Sequence, residues 1–230
     1  MLLPVYGMRL VMTDEVTQTT DLKRRSDIHY ARKIWHMSGV FAMFLAYSYM
    51  PEVVSMTILA VAWFLFIPFD IARQKYPSLN DWAVHAFKPI MRQNEVKRFA
   101  GTTYLLTGVA LIVLLFPRPI VALTLLFLAF ADPIASYFGI KYGRDKIFGH
   151  KSIQGFAAAF VVCALLTFVY LGVNNFLMDR LIVVSLLAGL IGAFAELVPI
   201  AKLDDNLTLP VLSATGLSIL FYFFGFFVNA

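Results

Sequence analysis

The chain has 230 residues, of which 60% are hydrophobic and only 14% are charged, and its mean hydropathy is +0.77. Soluble domains carry about 45–50% apolar and about 25% charged residues, so this composition excludes a water-soluble globular protein. The net charge of +5 does not indicate a nucleic-acid partner, because that interpretation needs a basic face on a soluble fold.

Seven apolar stretches approach or reach the length of a membrane-spanning helix, which is about 17–25 residues. They cover residues 34–50, 53–69, 103–116, 119–140, 153–173, 181–200 and 207–228. The third is short, and we expect it to begin earlier. The sequence therefore predicts an all-α, polytopic integral membrane protein of about seven transmembrane helices, folded as one domain over 1–230.

Basic residues are distributed unevenly between the two sides of these spans. Of the nineteen Lys and Arg residues, all except Arg118 and Arg180 precede the first span or follow the second, fourth and sixth. Lys and Arg concentrate in cytoplasmic loops. We therefore expect the N-terminal segment 1–28 and the loop 70–102 to be cytoplasmic and the C-terminus to lie outside.

The loop 70–102 combines basic and aromatic residues. Asn80 is expected to cap a short helix whose Trp82 and Phe87 lie among the lipid headgroups. A solvated basic connector fits the sequence equally well.

Two carboxylates fall inside predicted spans. A rise of about 1.5 Å per residue places Asp132 roughly 10 Å, and Glu196 about 6 Å, beneath the cytoplasmic boundary. An ionised carboxylate near the bilayer centre costs about 2.5–3.5 kcal/mol, so each needs a cation, a metal or a water-filled cavity. Both are therefore candidate functional residues.

Possible partners for these acids lie at the same membrane face. Arg32, Lys33 and His36 share one helical stripe with His29. Basic residues, including Lys146 and Lys151, follow the fourth span among several glycines, which permit close approach of a phosphate. Asp204-Asp205-Asn206 follows the sixth span and offers the hard oxygen ligands that suit Mg²⁺. Taken singly, the basic residues fit contacts with lipid headgroups, and Asp204 and Asp205 fit an ordinary turn.

The combination of phosphate-binding, metal-binding and lipid-facing features is more specific than any one of them. It is the layout needed when a water-soluble phosphate donor reacts with a membrane-borne alcohol.

At this point the motifs resemble a known family over residues 32–210. They are Arg32-Lys33-x-x-His36, Asp70-x-x-Arg73, Arg92-x-x-Glu95 with Gly101, Asp132-Pro133-x-Ala135-x-x-x-Gly139-x-x-x-Gly143, Lys151-Ser152-x-x-Gly155, Glu196 and Asp204-Asp205-Asn206 with Pro210. In order and spacing they are similar to the polyprenol kinase family, which groups dolichol kinase, phytol kinase and the CTP-dependent diacylglycerol kinase. The compact size is that expected of the phytol and diacylglycerol members, without the additional N-terminal spans of the large dolichol kinases, so a dolichol acceptor is expected less than the other alcohols.

This resemblance implies a lipid kinase that transfers the γ-phosphate of CTP, with Mg²⁺ or another divalent cation, at the cytoplasmic face. The acceptor would be the hydroxyl of a membrane lipid alcohol, either an isoprenoid alcohol or diacylglycerol. The implied catalytic residues are Asp132, Arg32, Lys33 and His36. The implied nucleotide-binding residues are Gly139, Gly143, Lys146, Lys151, Ser152, Gly155 and Asn206. The implied metal ligands are Asp132, Glu196, Asp204 and Asp205.

Some alternatives stay open at the level of sequence. The proton acceptor is either His36 or one of the carboxylates. A cytidylyltransferase that forms a CDP-lipid also handles CTP, although its C-terminal signature of clustered Gly and paired Asp is not seen. A secondary transporter would use Asp132-Pro133 as a broken helix, but transporters place such groups near the midplane between repeats, and no repeat is visible.

Overall fold

The computed structural model describes residues 22–23, 27–149, 151–200 and 203–228, so most of the segment 1–28 lies outside the described residues. The α-helices of the described ranges are α1 Tyr30–Tyr49, α2 Glu52–Lys75, α3 Pro77–Phe87, α4 Gly101–Leu115, α5 Arg118–Leu126, α6 Asp132–Lys141, α7 Ile153–Val173, α8 Leu181–Leu197 and α9 Asp205–Phe223. Short 3₁₀ turns cover Gln93–Glu95, Met178–Arg180 and Phe226–Val228. Strands β1 Lys146–Phe148 and β2 Lys151–Ser152 form a small antiparallel hairpin.

Five helical segments of the described ranges are long and apolar enough to cross a membrane. They are Glu52–Lys75, Arg118–Lys141, Ile153–Val173, Met178–Leu197 and Asp205–Phe223. The prediction of an all-α membrane protein is confirmed, with one hairpin added between α6 and α7. The other two predicted spans correspond to α1 and the shorter α4, and the count of seven crossings stays a prediction.

Several predicted boundaries move by two to six residues. Helix α2 continues through Pro68 to Lys75, so the first residues of the expected loop 70–102 are helical. Helix α4 begins at Gly101, earlier than the apolar run, as expected. Helix α8 ends at Leu197, before the predicted limit of 200, because Val198 precedes Pro199 and takes an extended conformation.

The predicted fourth span is the most enclosed segment of the bundle. Its residues form α5, a π-helical turn at Phe127–Ala131 and α6, and 72% of its most apolar window is buried, against 11% for α2. Leu123 and Leu128 are fully buried in the main hydrophobic core. The segment that precedes Asp132 is therefore enclosed by neighbouring helices.

The connection between α2 and α4 is clamped to the bundle by a buried ion pair. Arg73 donates from Nε to Asp70 Oδ1 at 2.6 Å, and from Nη2 to the carbonyls of Glu95 and Arg98. The second carboxylate oxygen of Asp70 accepts from the N–H of Ala100 at 2.9 Å and thereby holds the first turn of α4. Asp70 is fully buried, so its negative charge has to be compensated inside the protein. Arg73 and the N–H of Ala100 provide this compensation.

The short helix expected in this connection is present as α3, but its start differs from the prediction. Tyr76 is the N-cap and Pro77 occupies the first turn, where its missing N–H costs nothing. Asn80 is not the cap, because its Oδ1 accepts from Arg73 Nη1 at 2.9 Å. Asn80, which the sequence predicted to be a helix cap, therefore forms a tertiary contact instead.

Glycines allow α8 to lie close against α7. A Cβ on Gly189 would be 2.8 Å from Ala164 Cβ, and one on Gly192 would be 2.9 Å from Cys163 Cβ. Such contacts are shorter than van der Waals packing allows, so only glycine fits at this distance. Glu196 follows one turn after Gly192 and is therefore fixed against the start of α7.

Candidate active site

A polar cavity of about 360 Å³ lies where the ends of α1, α6, α8 and α9 meet the β-hairpin. Its walls combine cationic, acidic and small residues. Those used below are Arg32, Lys33, His36, Asp132, Ser136, Gly139, Lys146, Lys151, Ser152, Gly155, Glu196, Asp204, Asp205 and Asn206. The two intramembrane acids and the acidic turn therefore share one cavity.

Helix α1 is fastened to the Asp132 helix by a lysine. His29 caps α1 by accepting the N–H of Arg32 at its Nδ1, and Lys33 follows in the first turn. Lys33 Nζ donates to the Pro133 carbonyl at 3.0 Å and to Ser136 Oγ at 2.8 Å. Ser136 lies four residues after Asp132, on the same face of α6. Lys33 thus positions both the start of α6 and a positive charge beside Asp132.

The π-helical turn determines how Asp132 is presented. In a π pattern a carbonyl pairs with the N–H five residues later, and position 133, which Leu128 would use, is a proline without an N–H. His36 Nε2 satisfies the Leu128 carbonyl at 3.0 Å. Because a carbonyl only accepts, Nε2 carries the proton in this bond. The same nitrogen lies 3.9 Å from Asp132 Oδ2.

Arg32 makes a bidentate ion pair with a residue far away in the chain. Its Nη1 and Nη2 donate to Glu95 Oε2 at 2.9 Å and Oε1 at 2.7 Å, and Nη1 also donates to the Ile90 carbonyl at 2.8 Å. Glu95 further accepts the N–H groups of Arg92 and Gly101, both at 3.1 Å. Arg32 borders the cavity while its guanidinium is engaged within the protein. Its predicted role in holding phosphates stays a prediction.

Glu95 gives a pH-dependent contribution to stability. Burial alone would raise its pKa, but the charge and hydrogen bonds of Arg32 outweigh burial and lower the pKa below 4.5. A carboxyl with a lowered folded-state pKa stabilises the fold fully above its unfolded pKa, and this stabilisation is lost as the pH falls through the folded value. We expect Glu95→Gln to destabilise the protein by about 3 kcal/mol at pH 7, because it breaks a buried pair.

Thermal unfolding in detergent between pH 7 and pH 3 measures this contribution. The wild type should lose stability more steeply than Glu95→Gln below pH 4.5. Glu52→Gln, which changes an exposed carboxylate in the first turn of α2, is the matched control and should follow the wild type. Parallel curves for the wild type and Glu95→Gln would contradict the assignment.

The hairpin places Lys151 between two acidic side chains. Lys151 Nζ lies 2.6 Å from Glu196 Oε1 and 3.1 Å from Asp205 Oδ2. The lysine side chain is 11% exposed and that of Glu196 is 3% exposed. Burial alone would lower the pKa of Lys151, but the negative charges of Glu196, Asp205 and Asp132 outweigh burial and raise it. Lys151 is therefore protonated at neutral pH and joins β2, α8 and α9.

The glycines of this region serve close packing as well as access. Gly139 and Gly155 face each other on α6 and α7, where a Cβ on Gly155 would be 3.0 Å from the Ala135 carbonyl oxygen. Gly143 does not line the cavity; a Cβ there would collide with the Gly139 carbonyl oxygen and with Ser152. Its predicted role in nucleotide binding stays a prediction, and the structure gives it a packing contact behind the wall.

Polar residues begin the two helices that point into the cavity. Ser152 caps α7 by accepting the N–H of Gly155 at 3.2 Å, and Asp204 caps α9 by accepting the N–H of Asn206 at 3.0 Å. Asn206 also donates from Nδ2 to the Gly101 carbonyl at 3.4 Å. Lys146 donates from Nζ to the Gly139 carbonyl at 3.1 Å. Both caps direct a helix N-terminus, with its partial positive charge, towards the cavity.

The structure brings every residue predicted for the site to this cavity except Gly143. Two residues that the sequence did not assign, Arg92 and Ser136, also border the cavity. Glu95 does not border it but pairs with Arg32, which does. Arg92 and Glu95 were visible in the motif Arg92-x-x-Glu95. Ser136 was detectable only from its spacing of four residues after Asp132 on a helix.

Comparison with known proteins gives several relatives, three of which share one name. The chain is 34% identical to CTP-dependent diacylglycerol kinase 1 of Schizosaccharomyces pombe over 155 residues, which cover 63% of this chain and 71% of the relative. Proteins of the same name from Eremothecium gossypii and Saccharomyces cerevisiae are 30% and 26% identical over 80% of this chain, covering 64% and 70% of their own lengths. No family model matches the chain. No solved structure matches it either.

These relatives agree with the motifs. The aligned part covers more than two thirds of the Schizosaccharomyces pombe protein at 34% identity, and the polyprenol kinase family that the motifs resemble includes this type of kinase. The chain therefore belongs to the family of the CTP-dependent diacylglycerol kinases.

Proposed function

We propose that this protein is a CTP-dependent lipid kinase that transfers the γ-phosphate of CTP to the hydroxyl of diacylglycerol. The observation that carries this proposal is the meeting of Asp132 with three lysines, Lys33, Lys146 and Lys151, in one cavity. The lysines supply the positive charge that a triphosphate needs, and the carboxylate supplies a base beside it. The names of the relatives support CTP as donor and diacylglycerol as acceptor.

The proposal includes a topology of seven spans with the N-terminus in the cytoplasm and the C-terminus outside. Helix α1 has 20 residues, close to a full crossing, and α4 has 15 residues and needs some local thinning or the help of its flanking turns. The hairpin and residues 204–206 then face the cytoplasm with most of the basic residues. CTP reaches the site from that side.

The donor phosphates would lie between the hairpin and the N-terminus of α7. Lys151 and Lys146 approach from β2 and β1, and Ser152 begins α7 at the cavity wall. A helix N-terminus and flanking lysines are a common environment for phosphate. The Lys151 contact with Asp205, at 3.1 Å, is longer than that with Glu196, at 2.6 Å, and is the one that a phosphate would exchange with more readily.

The acidic residues fit a divalent cation of the Mg²⁺ type. In the described ranges no three His, Cys, Asp or Glu side chains form a metal site by themselves. Mg²⁺ usually takes only one or two carboxylates and leaves other positions to water and substrate phosphates. Asp132 and Asp204, whose carboxylates both border the cavity, would hold the ion, and Glu196 and Asp205 are paired with Lys151. When bound, the ion would neutralise charge on the phosphates.

Asp132 would accept the proton of the acceptor hydroxyl. In the transfer the hydroxyl loses its proton, its oxygen forms a bond to the γ-phosphorus, and the bond from that phosphorus to the β-phosphate bridging oxygen breaks, releasing CDP. His36 Nε2 is occupied as a donor to the Leu128 carbonyl. His36 is therefore assigned to positioning, and Lys33 holds the turn that carries the carboxylate.

A labelling experiment tests this function. Purified protein in detergent micelles is incubated with Mg²⁺ and γ-labelled CTP or ATP, together with diacylglycerol, phytol, geranylgeraniol, polyprenol or dolichol. We expect label in diacylglycerol from CTP, with one CDP formed for each labelled lipid. Release of pyrophosphate would identify a cytidylyltransferase instead. Label in an isoprenoid alcohol alone would overturn the acceptor, and nucleotide-independent flux into sealed vesicles would indicate a transporter.

A further inference from the structure

A second cavity, of about 570 Å³, lies between α1, α2, α3 and α4, next to the polar one. Its walls are mainly aliphatic and aromatic, and they include Val40, Met43, Leu65, Phe66, Phe69 and Leu105. Arg32, His36 and Asn206 border both cavities. The two cavities therefore meet along one short polar boundary beside Asp132.

The charged residues in the apolar cavity are compensated by partners in its walls. Arg73 is paired with Asp70 at 2.6 Å, and Glu95 is paired with Arg32 at 2.7 Å. Arg73 is only 2% exposed. Each pair contains one positive and one negative side chain, so neither pair needs a charged ligand to neutralise it. The cavity therefore suits an uncharged, apolar occupant.

The mouth of this cavity is formed by large apolar side chains. Trp35, Leu65 and Trp82 are 61%, 70% and 58% exposed, respectively. In a membrane protein such residues face hydrocarbon or the headgroup layer, where tryptophan is favoured. The mouth therefore opens towards lipid, whereas the polar cavity is bordered by the hairpin and the caps of α7 and α9.

We propose that the apolar cavity is the acceptor site, that it holds an acyl chain of diacylglycerol, and that Gly39 keeps its passage open. The hydroxyl would lie at the boundary formed by Arg32, His36 and Asn206, and the chain would extend past Gly39 towards Met43. This inference rests on the proposed function. It adds the location of the lipid and a residue that limits which lipid fits.

Gly39 lies in the passage because of helix geometry. It follows His36 by three residues on α1 and so lies one turn further along the same face. A Cβ built on Gly39 meets nothing within 4 Å, whereas one on Gly108 would be 2.8 Å from the Asn206 carbonyl oxygen. Gly39 borders the cavity, so a Cβ at this position meets open space and not protein atoms, and a longer side chain would take up cavity volume. Alanine and leucine are also better helix formers than glycine, so α1 is retained.

The test is a series of substitutions at Gly39 to Ala, Leu and Phe. Gly172→Leu in α7 is the matched control, because the nearest atom to a Cβ there is Leu181 Cδ2 at 4.0 Å and the residue borders neither cavity. We expect Gly39→Leu to raise KM for dioleoylglycerol by about tenfold, a typical effect of lost fit in an apolar pocket. KM for CTP should change by less than about twofold, because Gly39 does not border the polar cavity in which the donor is proposed to bind. Gly39→Ala should have a small effect and Gly39→Phe a larger one.

A diacylglycerol with a photoreactive group in one acyl chain provides a second measurement that does not need turnover. Cross-links to residues 35–43 of α1 and 62–69 of α2 are expected, and Gly39→Leu should reduce them. Cross-links confined to other helices, or a Gly39→Leu variant whose kinetics equal those of Gly172→Leu, would overturn the acceptor site. A wild type that labels no diacylglycerol would instead overturn the proposed function.

Discussion

Asp132→Asn is expected to reduce kcat for lipid phosphorylation by roughly 10²–10⁴-fold, the usual contribution of a positioned acid or base. Asparagine keeps the shape of the side chain but cannot accept the hydroxyl proton and is a poorer ligand for a divalent cation. The contacts that shape this region use other atoms. His36 bonds the Leu128 carbonyl, and Lys33 bonds the Pro133 carbonyl and Ser136. The π-helical turn should therefore persist in the variant.

The measurement combines initial rates with thermal unfolding in the same detergent. Asp179→Asn makes the same chemical change at a carboxylate whose side chain is 70% exposed, in the turn before α8, and it should retain wild-type activity. Both variants should unfold within a few degrees of the wild type. If Asp132→Asn phosphorylates diacylglycerol at the wild-type rate, Asp132 has a structural role and the site assignment is wrong.

The apolar spans were predictable because their signal is local. Residues 153–173 form a mainly apolar run between a capping serine and a polar turn, and α7 has the same limits. The limits of α2 were not predictable in this way, because its last turns are polar and are stabilised by tertiary contacts. Arg73, in that part, is satisfied by carbonyls more than twenty residues away.

The π-helical turn illustrates a feature that hydrophobic patterning cannot detect. One additional residue in a turn does not change the apolar pattern of Phe127–Ala131, because all five residues are apolar and four of them are buried. Pro133 was the available signal, since a proline within a span leaves a carbonyl without its donor. The sequence gives no indication that His36, 92 residues earlier than Leu128, supplies that donor.

The sequence was sufficient to predict which residues form the site. It was not sufficient to predict which of them pair with one another. Acids within spans are costly enough to indicate function on their own, and Asp132 and Glu196 do line one cavity. Which cation compensates which acid depends on packing. Arg32 pairs with Glu95 over 63 positions of sequence, and Lys151 pairs with Glu196 over 45. The apolar cavity also depends on packing, because it is the space left between four helices.

Lys151→Met is expected to impair both stability and activity, and a second substitution should separate the two effects. Removal of the lysine leaves Glu196 buried without its partner at 2.6 Å, and breaking a buried pair in this way costs about 3–5 kcal/mol. Replacement of both charges by uncharged residues of similar size is often nearly neutral. Lys151→Met/Glu196→Gln should therefore recover most of the thermal stability that Lys151→Met loses.

Activity should not recover in the double variant, because the cation that faces the donor phosphates is still absent. We expect kcat/KM for CTP to stay at least about 10²-fold below wild type, as is usual when a charged group that stabilises a transferring phosphate is lost. Lys141→Met provides the matched control, since Lys141 lies in the last turn of α6, contacts Tyr137 at 2.8 Å and does not border the cavity. If the double variant regains both stability and turnover, Lys151 serves only to neutralise Glu196. If it regains stability alone, the lysine acts on the nucleotide, and the ion pair with Glu196 holds the lysine in position for that role.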